Sequence, residues 1–107
     1  MTFTLYHNKN CSKSRACLEI LKKHKIDFQV REYLKYPLTI SEVFDIFEKL
    51  SGDQNNLLRK PEKVKSVKNL AKFIFENQKK LQRPIFFNGK KYFICRPPER
   101  VLDCVAK

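Results

Sequence analysis

The sequence lacks long apolar runs, C-x-x-C cysteine pairs and the pattern of an export signal. Because a membrane helix requires roughly 18 consecutive apolar residues, no spanning segment is expected. Residues 1–6 are too short and too alternating for a signal peptide, so we expect a cytosolic protein whose ordinary thiols stay reduced. The cysteine and histidine spacings match no common zinc site, and no bound metal is expected.

Acidic residues are also scarce. The chain carries 11 acidic and 23 basic residues, which gives a formal net charge of +12. Such a charge favours an anionic partner, either a nucleic acid or a small anionic substrate. The lysines are spread along most of the chain, and there is no RNA-binding aromatic motif, zinc finger or arginine-rich arm. Nucleic-acid binding is therefore disfavoured, and a small anion remains a natural partner.

The length and composition fit one compact domain over residues 1–107, because 42% of the residues are hydrophobic and no linker or repeat interrupts them. Alternation predicts a first strand that ends near Tyr6, and a period of 3.6 residues predicts a helix over residues 12–25. A second strand is predicted from Phe28 to Tyr33, which completes a βαβ unit. The predicted core face of the helix consists of Ala16, Cys17, Ile20 and Leu21.

The second predicted helix has the clearest start signal. Thr39 and Glu42 form a capping box, and Leu38 and Val43 are spaced for a hydrophobic staple. Gly52 is expected to end the segment. The predicted apolar stripe of this helix is Ile40, Val43, Phe44, Phe47 and Leu50.

The C-terminal half predicts a further helix, a hairpin and a last helix. Ser66 is a candidate cap for a helix that ends near Leu81. Asn88-Gly89 between β-rich segments predicts a hairpin with a type I′ turn, and Pro97-Pro98 opens a last amphipathic helix. The expected fold class is therefore α/β and thioredoxin-like. A mixed four-stranded sheet is flanked by helices, with a helical insertion between the βαβ unit and the C-terminal ββα unit.

Cys11 is the strongest candidate for a reactive group. It stands between a predicted strand end and a helix N-terminus, where free N–H groups and the helix dipole stabilise a thiolate and attract oxyanions. Cationic groups surround it, and no acidic residue precedes Glu19. We expect a partly exposed thiol with a pKa below about 7.5, although an incidental loop cysteine would fit the same features. The other cysteines fit packing roles: Cys17, Cys95 and Cys104.

The six arginines form a second informative set. Arg83 and Arg96 each precede proline, which favours an extended backbone and fixes the direction of the side chain, and Arg59 lies in an irregular segment. In a chain that otherwise prefers lysine, arginine suggests a need for a planar forked donor that binds a tetrahedral oxyanion. The alternative is that all three are surface charges. Arg31 and Arg100 are interpreted as ordinary exposed charges.

Several of these segments together resemble the glutaredoxin-coupled arsenate reductase family, nearly end to end. They are Tyr6-His-Asn-Lys-Asn-Cys-Ser-Lys-Ser-Arg15, Leu57-Leu-Arg59, Arg83-Pro84 and Cys95-Arg-Pro-Pro-Glu99 followed by Val101-Leu102. The resemblance implies cytosolic reduction of arsenate to arsenite, in which Cys11 attacks the arsenate. It also implies that glutathione is a co-substrate, that glutaredoxin removes the resulting mixed disulfide and that no cofactor stays bound.

The resemblance further implies roles for individual side chains. His7, Ser14 and Arg15 are expected to keep the thiol ionised, and the oxyanion is held by Arg59, Arg83 and Arg96. A cis peptide is expected at Arg83–Pro84. A neighbouring branch of the same superfamily contains regulators that bind RNA polymerase, so a thioredoxin-fold interaction protein without reductase activity is the alternative. The arginine set favours the enzyme.

The other cysteines are poorly placed to form a disulfide with Cys11. A disulfide requires Cα atoms within about 7 Å, and Cys17 lies six residues along the same helix, roughly 9 Å down its axis. Cys95 should face away from the site because strand alternation turns it opposite to Arg96. Cys104 lies inside the last helix. An external thiol is therefore expected to resolve the intermediate.

Overall fold

The computed structural model describes residues 3–59 and 67–106. Its strands are β1 (Thr4–His7), β2 (Gln29–Glu32), β3 (Ile85–Phe87) and β4 (Tyr92–Ile94). Its α-helices are α1 (Ser12–Lys23), α2 (Ile40–Lys49), α3 (Val67–Glu76) and α4 (Val101–Ala106). Short 3₁₀ turns cover Gln54–Leu57, Gln78–Lys80 and Pro98–Arg100. Across these described ranges, no helix has the length and apolar character needed to cross a membrane.

The four strands form one mixed sheet in the order β2-β1-β3-β4. Strand β1 is parallel to β2, with His7 opposite Glu32, and antiparallel to β3, with Tyr6 opposite Ile85. The carboxyl ends of β1 and β2 therefore meet the start of β3 at one edge of the sheet. This edge holds the candidate site. The architecture agrees with the predicted α/β arrangement.

Each face of the sheet carries its own apolar cluster, because neighbouring residues of a strand point to opposite faces. Leu5 and Phe86 belong to the cluster under α1 and α4, whereas Tyr6 and Ile85 belong to the cluster under α2 and α3. The first cluster includes Cys17, Leu21, Cys95, Val101 and Cys104. The second includes Tyr33, Leu38, Val43, Phe47, Leu57 and Ile74.

The two N-terminal helices bury slightly different faces from those predicted. In α1 the buried residues are Ser14, Cys17 and Leu21, whereas Ala16 is exposed. In α2, Ile46 is buried and Phe44 is 37% exposed, so the predicted stripe was wrong at Phe44. Because α2 packs against α3, Ile46 rather than Phe44 faces the core.

The predicted start of α2 is confirmed. The Thr39 hydroxyl accepts a hydrogen bond from the Glu42 N–H (3.1 Å), and Glu42 Oε1 accepts one from the Thr39 N–H (2.9 Å). Leu38 and Val43 are both buried, as a staple requires. Gly52 follows the helix with a φ of 112°, a left-handed conformation in which glycine is favoured.

The interpretation of Arg31 as an ordinary exposed charge was wrong. Its guanidinium donates to both Glu42 carboxylate oxygens (2.8 and 3.1 Å) and to the carbonyls of Tyr36 (2.9 Å) and Pro37 (2.8 Å). It therefore fastens β2 and the following loop to the start of α2. The partners lie 5 to 11 residues away in sequence, so their convergence depends on the fold.

The hairpin between β3 and β4 is confirmed, but its type I′ turn is not. Gly89 has a φ of 93°, whereas Asn88 does not adopt the positive φ that this turn requires. The Asn88 side chain instead accepts hydrogen bonds from the N–H groups of Lys90 (2.9 Å) and Lys91 (2.8 Å) and closes a longer loop.

The remaining helix predictions have mixed outcomes. The predicted cap at Ser66 lies outside the described residues. The third helix ends at Glu76, and the 3₁₀ turn Gln78–Lys80 covers part of the segment that was predicted to continue to Leu81.

Candidate active site

Cys11 is the N-cap residue of α1, with an extended backbone (φ −100°, ψ 121°). Its N–H donates to the carbonyl of Asn8 (3.0 Å), and its carbonyl accepts from the N–H of Arg15 (3.0 Å). The tight loop between β1 and α1 thus holds the thiol at the helix start. Its exposed fraction is 9%, so Cys11 is more buried than predicted.

The surroundings of Cys11 favour its thiolate. Burial alone raises the pKa of the thiol, but the backbone N–H groups of Ser14 and Lys13 and the guanidinium of Arg83 outweigh burial and hold the pKa below its ordinary value. The sulfur makes no short capping hydrogen bond, so these donors act as oriented positive charge at the helix terminus. The structure gives the direction of the shift, and the threshold near 7.5 stays a prediction.

His7 and Ser14 form a buried pair beneath the loop. Nδ1 of His7 lies 2.6 Å from Oγ of Ser14, which also accepts a hydrogen bond from the Asn8 N–H (3.1 Å). Burial lowers the pKa of His7, so its imidazole is neutral near pH 7. His7 therefore does not act on the thiol as a neighbouring cation. It positions Ser14, whose N–H faces Cys11.

Arg15 is exposed, and its guanidinium donates to the carbonyl of Lys9 (3.1 Å). This hydrogen bond holds the loop that precedes the thiol, and the expectation that Arg15 helps to keep Cys11 ionised stays a prediction.

A cavity of about 420 Å³ opens over the thiol, and the three arginines singled out in the sequence line it together with Cys11. Gln82 completes this side of the cavity. The structure thus brings together residues that are far apart in sequence: Cys11, Arg59, Arg83 and Arg96. A cavity of this kind, lined by a thiol and three guanidinium groups, suits a small oxyanion.

Backbone pairing fixes the segment that carries Arg59. The Arg59 N–H donates to the carbonyl of Lys80 (3.0 Å), and the Gln82 N–H donates to the carbonyl of Leu57 (2.6 Å). The loop is therefore bonded to the residues directly before Arg83, while the Arg59 side chain itself is exposed.

Arg96 is hydrogen-bonded to the residues that directly precede β3. Its Nη1 donates to the carbonyl of Arg83 (2.9 Å) and lies 3.4 Å from Oε1 of Gln82. The expected cis peptide at Arg83–Pro84 is confirmed, and Arg96–Pro97 is also cis.

Arg83 differs from the other two arginines in being buried, with 9% of its surface exposed. Its Nε and Nη1 atoms are buried and have no hydrogen-bond partner in residues 3–59 and 67–106. Buried guanidinium groups are normally paired with an anion. Arg83 thus keeps two buried donor atoms without a partner while its side chain lines the cavity beside the Cys11 thiol.

Sequence reasoning missed Gln82 as a cavity residue. Its position directly before Arg83-Pro84 was the available signal, but a single glutamine among polar residues carries no distinctive pattern.

The remaining cysteines lie in the apolar cluster under α1 and α4. A hydrogen bond with Cys104 lowers the pKa of Cys95, but a hydrogen bond with Cys17 and burial outweigh it and raise this pKa to about 12. Cys95 is fully buried and Arg96 is exposed, as strand alternation predicted. These thiols are packed as small apolar groups.

Comparison with known proteins agrees with this site. The model of the ArsC family matches residues 6–104. An arsenate reductase from Haemophilus influenzae is 36% identical over 96% of this chain and 98% of its own. The uncharacterized protein YfgD of Escherichia coli is 33% identical over 95% of each chain. The structure of an arsenate reductase from Vibrio cholerae superposes with a TM-score of 0.85 at 29% identity, covering 96% of this chain and 97% of that one. The chain therefore belongs to the ArsC family and has the thioredoxin-like fold of its arsenate reductase relatives.

Proposed function

We propose that this protein reduces arsenate to arsenite in the cytosol, with Cys11 as the nucleophile and with glutathione and glutaredoxin as the source of electrons. One observation carries the proposal: a thiol of lowered pKa lies at a helix N-terminus, in a cavity lined by Arg59, Arg83 and Arg96. The thiol and the arginines have separate roles in the proposed reaction. The thiolate supplies the nucleophile, and the guanidinium groups hold the tetrahedral oxyanion against it.

The first step is attack of the Cys11 thiolate on arsenic. A sulfur–arsenic bond forms, and one arsenate oxygen leaves as water after it gains protons. The Arg83 guanidinium and the N–H groups at the start of α1 stabilise the negative charge on the remaining oxygens. Because these donors are fixed before the anion arrives, little reorganisation is needed during the reaction.

The second step transfers two electrons. A glutathione thiol supplies the second sulfur, arsenic(V) becomes arsenic(III), and the two sulfurs are oxidised to a mixed disulfide between Cys11 and glutathione. Arsenite leaves, and glutaredoxin with a further glutathione returns Cys11 to the thiol. An external thiol is favoured because Cys17, Cys95 and Cys104 are buried in a cluster that does not include Cys11.

The test is arsenite formation from arsenate with glutathione and glutaredoxin. We expect activity in the wild type and none in Cys11→Ser. The matched control replaces Cys17, Cys95 and Cys104 together by serine, or by alanine if the serine variant does not fold. Since these thiols only pack, the folded control should keep most of the activity.

Other outcomes would point elsewhere. A folded triple variant without activity, or turnover with thioredoxin alone, would show that an internal disulfide is required. If the wild type formed no arsenite at all, the alternative of a regulatory or RNA-polymerase-binding protein would be favoured.

A further inference from the structure

A second cavity, of about 590 Å³, adjoins the cavity over Cys11. The two cavities meet at a shared wall, because both are lined by Arg59, Gln82 and Arg96. A volume of this size accommodates a small organic molecule, whereas a tetrahedral oxyanion would fill only a fraction of it. The second cavity therefore suits a larger ligand, which would lie beside an anion held at the thiol.

The walls of the second cavity carry charges of both signs. Arg100 adds a further guanidinium group to the shared arginines, and the carboxylates of Asp53 and Asp103 lie among the lining groups. Carboxylates repel a simple oxyanion. A ligand that carries both carboxylate and ammonium groups would be attracted by both kinds of wall group, so the charge pattern favours a zwitterion.

Arg100 and Asp103 lie next to each other on the last helical segment. Arg100 ends the 3₁₀ turn that continues directly into α4, and Asp103 follows three residues later, a spacing that places two side chains on one face. Both are exposed, and neither takes part in an ion pair among residues 3–59 and 67–106. The Arg100 guanidinium donates a long hydrogen bond to the Arg96 carbonyl (3.5 Å). A cation and a carboxylate are thus available side by side at the cavity.

Asp53 has a different role from Asp103. Its Oδ1 accepts a hydrogen bond from the Asn55 N–H (2.9 Å) and caps the 3₁₀ turn Gln54–Leu57. The Asp53 carboxylate therefore helps to hold the loop that leads to Arg59. Asp103 is the better partner for the ammonium group of a ligand.

Glutathione has the charge pattern that Arg100 and Asp103 would recognise. Its γ-glutamyl end carries a carboxylate and an ammonium group on one carbon atom, and its sulfur lies on the neighbouring cysteine residue. The Arg100 guanidinium can bind that carboxylate while the Asp103 carboxylate binds the ammonium group. Because the cavity borders the thiol site, a molecule held in this way can extend its sulfur towards Cys11.

We propose that the second cavity is the docking groove for glutathione, with Arg100 and Asp103 holding its γ-glutamyl end while its sulfur is directed to Cys11. This inference rests on the proposed function, because it locates the thiol co-substrate of the same reaction. It assigns the exposed charges of the last helical segment to the peptide, and leaves the cavity over Cys11 to the oxyanion.

The test is the exchange of the full-length, reduced protein with oxidised glutathione. The Cys11 thiolate attacks the disulfide, the sulfur–sulfur bond of glutathione breaks, a mixed disulfide forms at Cys11, and one glutathione leaves as the thiolate. The rate is followed by mass spectrometry of the peptide that contains Cys11. Hydroxyethyl disulfide, which carries no charge, is the reference probe. Arg100→Gln and Asp103→Asn are compared with the wild type and with Asp27→Asn, an exposed carboxylate outside both cavities.

We expect Arg100→Gln and Asp103→Asn each to slow the exchange with oxidised glutathione about fivefold, which corresponds to about 1 kcal/mol for one exposed ionic contact. The exchange with hydroxyethyl disulfide and the alkylation of Cys11 by iodoacetamide should be unchanged. Asp103→Asn is the sharper variant. Because oxidised glutathione is an anion, the loss of a carboxylate through net charge alone would speed the exchange, and Asp27→Asn should leave it unchanged or slightly faster.

Two results of this experiment would overturn the inference. One is an exchange of Asp103→Asn with oxidised glutathione that is as fast as that of the wild type, or faster. The other is equal slowing with both disulfides, which would show that the substitution changed Cys11 and not the groove.

A second measurement separates this inference from the proposed function. In arsenite formation, Asp103→Asn should raise the KM for glutathione and leave the KM for arsenate unchanged. Arsenite formation together with wild-type exchange rates in both groove variants would overturn the groove alone. A selective fivefold loss of exchange in a protein that forms no arsenite would support the groove and refute the reductase.

Discussion

Replacement of Arg83 by glutamine tests how much of the reactivity of Cys11 comes from one guanidinium group. An opposite charge within about 4–6 Å lowers the pKa of an acid by roughly 1–3 units. Arg83 acts beside the N–H groups of Ser14 and Lys13, which the substitution leaves in place. We therefore take the lower end of the range and expect the pKa of Cys11 to rise by about one unit in Arg83→Gln, equivalent to about 1.4 kcal/mol.

The assay is the rate of Cys11 alkylation by iodoacetamide as a function of pH. Because the thiolate is the reacting species, one pKa unit lowers the rate about tenfold at any pH below both inflections. The other cysteines should interfere little, since they are 0–4% exposed whereas Cys11 is 9% exposed and lies at the cavity. The melting temperature of each variant shows whether it is folded.

Arg15→Gln is the matched control, because it removes the same charge four residues from Cys11. The Arg15 guanidinium is exposed and bonded to the Lys9 carbonyl, so its loss should move the inflection by less than about 0.3 units. An unchanged inflection in folded Arg83→Gln would refute the reasoning. An equal shift in both variants would show that net charge, and not the placement of Arg83, controls the thiol.

The remaining expectations concern stability, measured by urea unfolding. Arg31→Lys should lower the free energy of unfolding by about 1 kcal/mol, because lysine lacks the fork that bonds Glu42 and two carbonyls; an effect no larger than that of Arg100→Lys would contradict this. Thr39→Ala should lower it by about 1 kcal/mol through loss of the α2 cap, and no change would show the cap to be dispensable. Burial raises the pKa of Glu42, but the Thr39 N–H and the Arg31 guanidinium outweigh burial and hold this pKa below its ordinary value. Glu42 therefore stabilises the folded state above about pH 4.3, and this stabilisation is lost as the pH falls through the folded pKa. Glu42→Gln should flatten this part of the dependence of the unfolding free energy on pH. An unchanged pH dependence would exclude Glu42 as its source.

Local sequence signals were enough for much of the fold. The capping box at Thr39 and the alternation in β1 depend on residues within a few positions of one another, so they are visible without tertiary information. The network around Arg31 was not visible. Its partners come from a loop and a helix start that only the folded chain brings within reach, and the same dependence on packing explains the exposed Phe44 in α2.

The candidate site was predictable in a similar, partial way. Cys11 is marked by its place before a helix, and Arg83 and Arg96 are marked by the prolines that follow them. The cavity that joins them depends on backbone pairing between the segments that carry Arg59 and Gln82, which no local pattern encodes.

The groups that the fold leaves unpaired are the strongest structural argument for a bound anion. Each unpaired buried polar group costs about 1–3 kcal/mol, in a fold whose net stability is typically about 5–15 kcal/mol. Among the described residues, the buried Nε and Nη1 atoms of Arg83 lack a hydrogen-bond partner, whereas Arg31 in the same chain donates four hydrogen bonds. The chain can therefore satisfy an arginine when its role is structural. Unpaired donors beside a thiol of lowered pKa are consistent instead with a site whose partner is the substrate, and binding of that anion should stabilise the folded state.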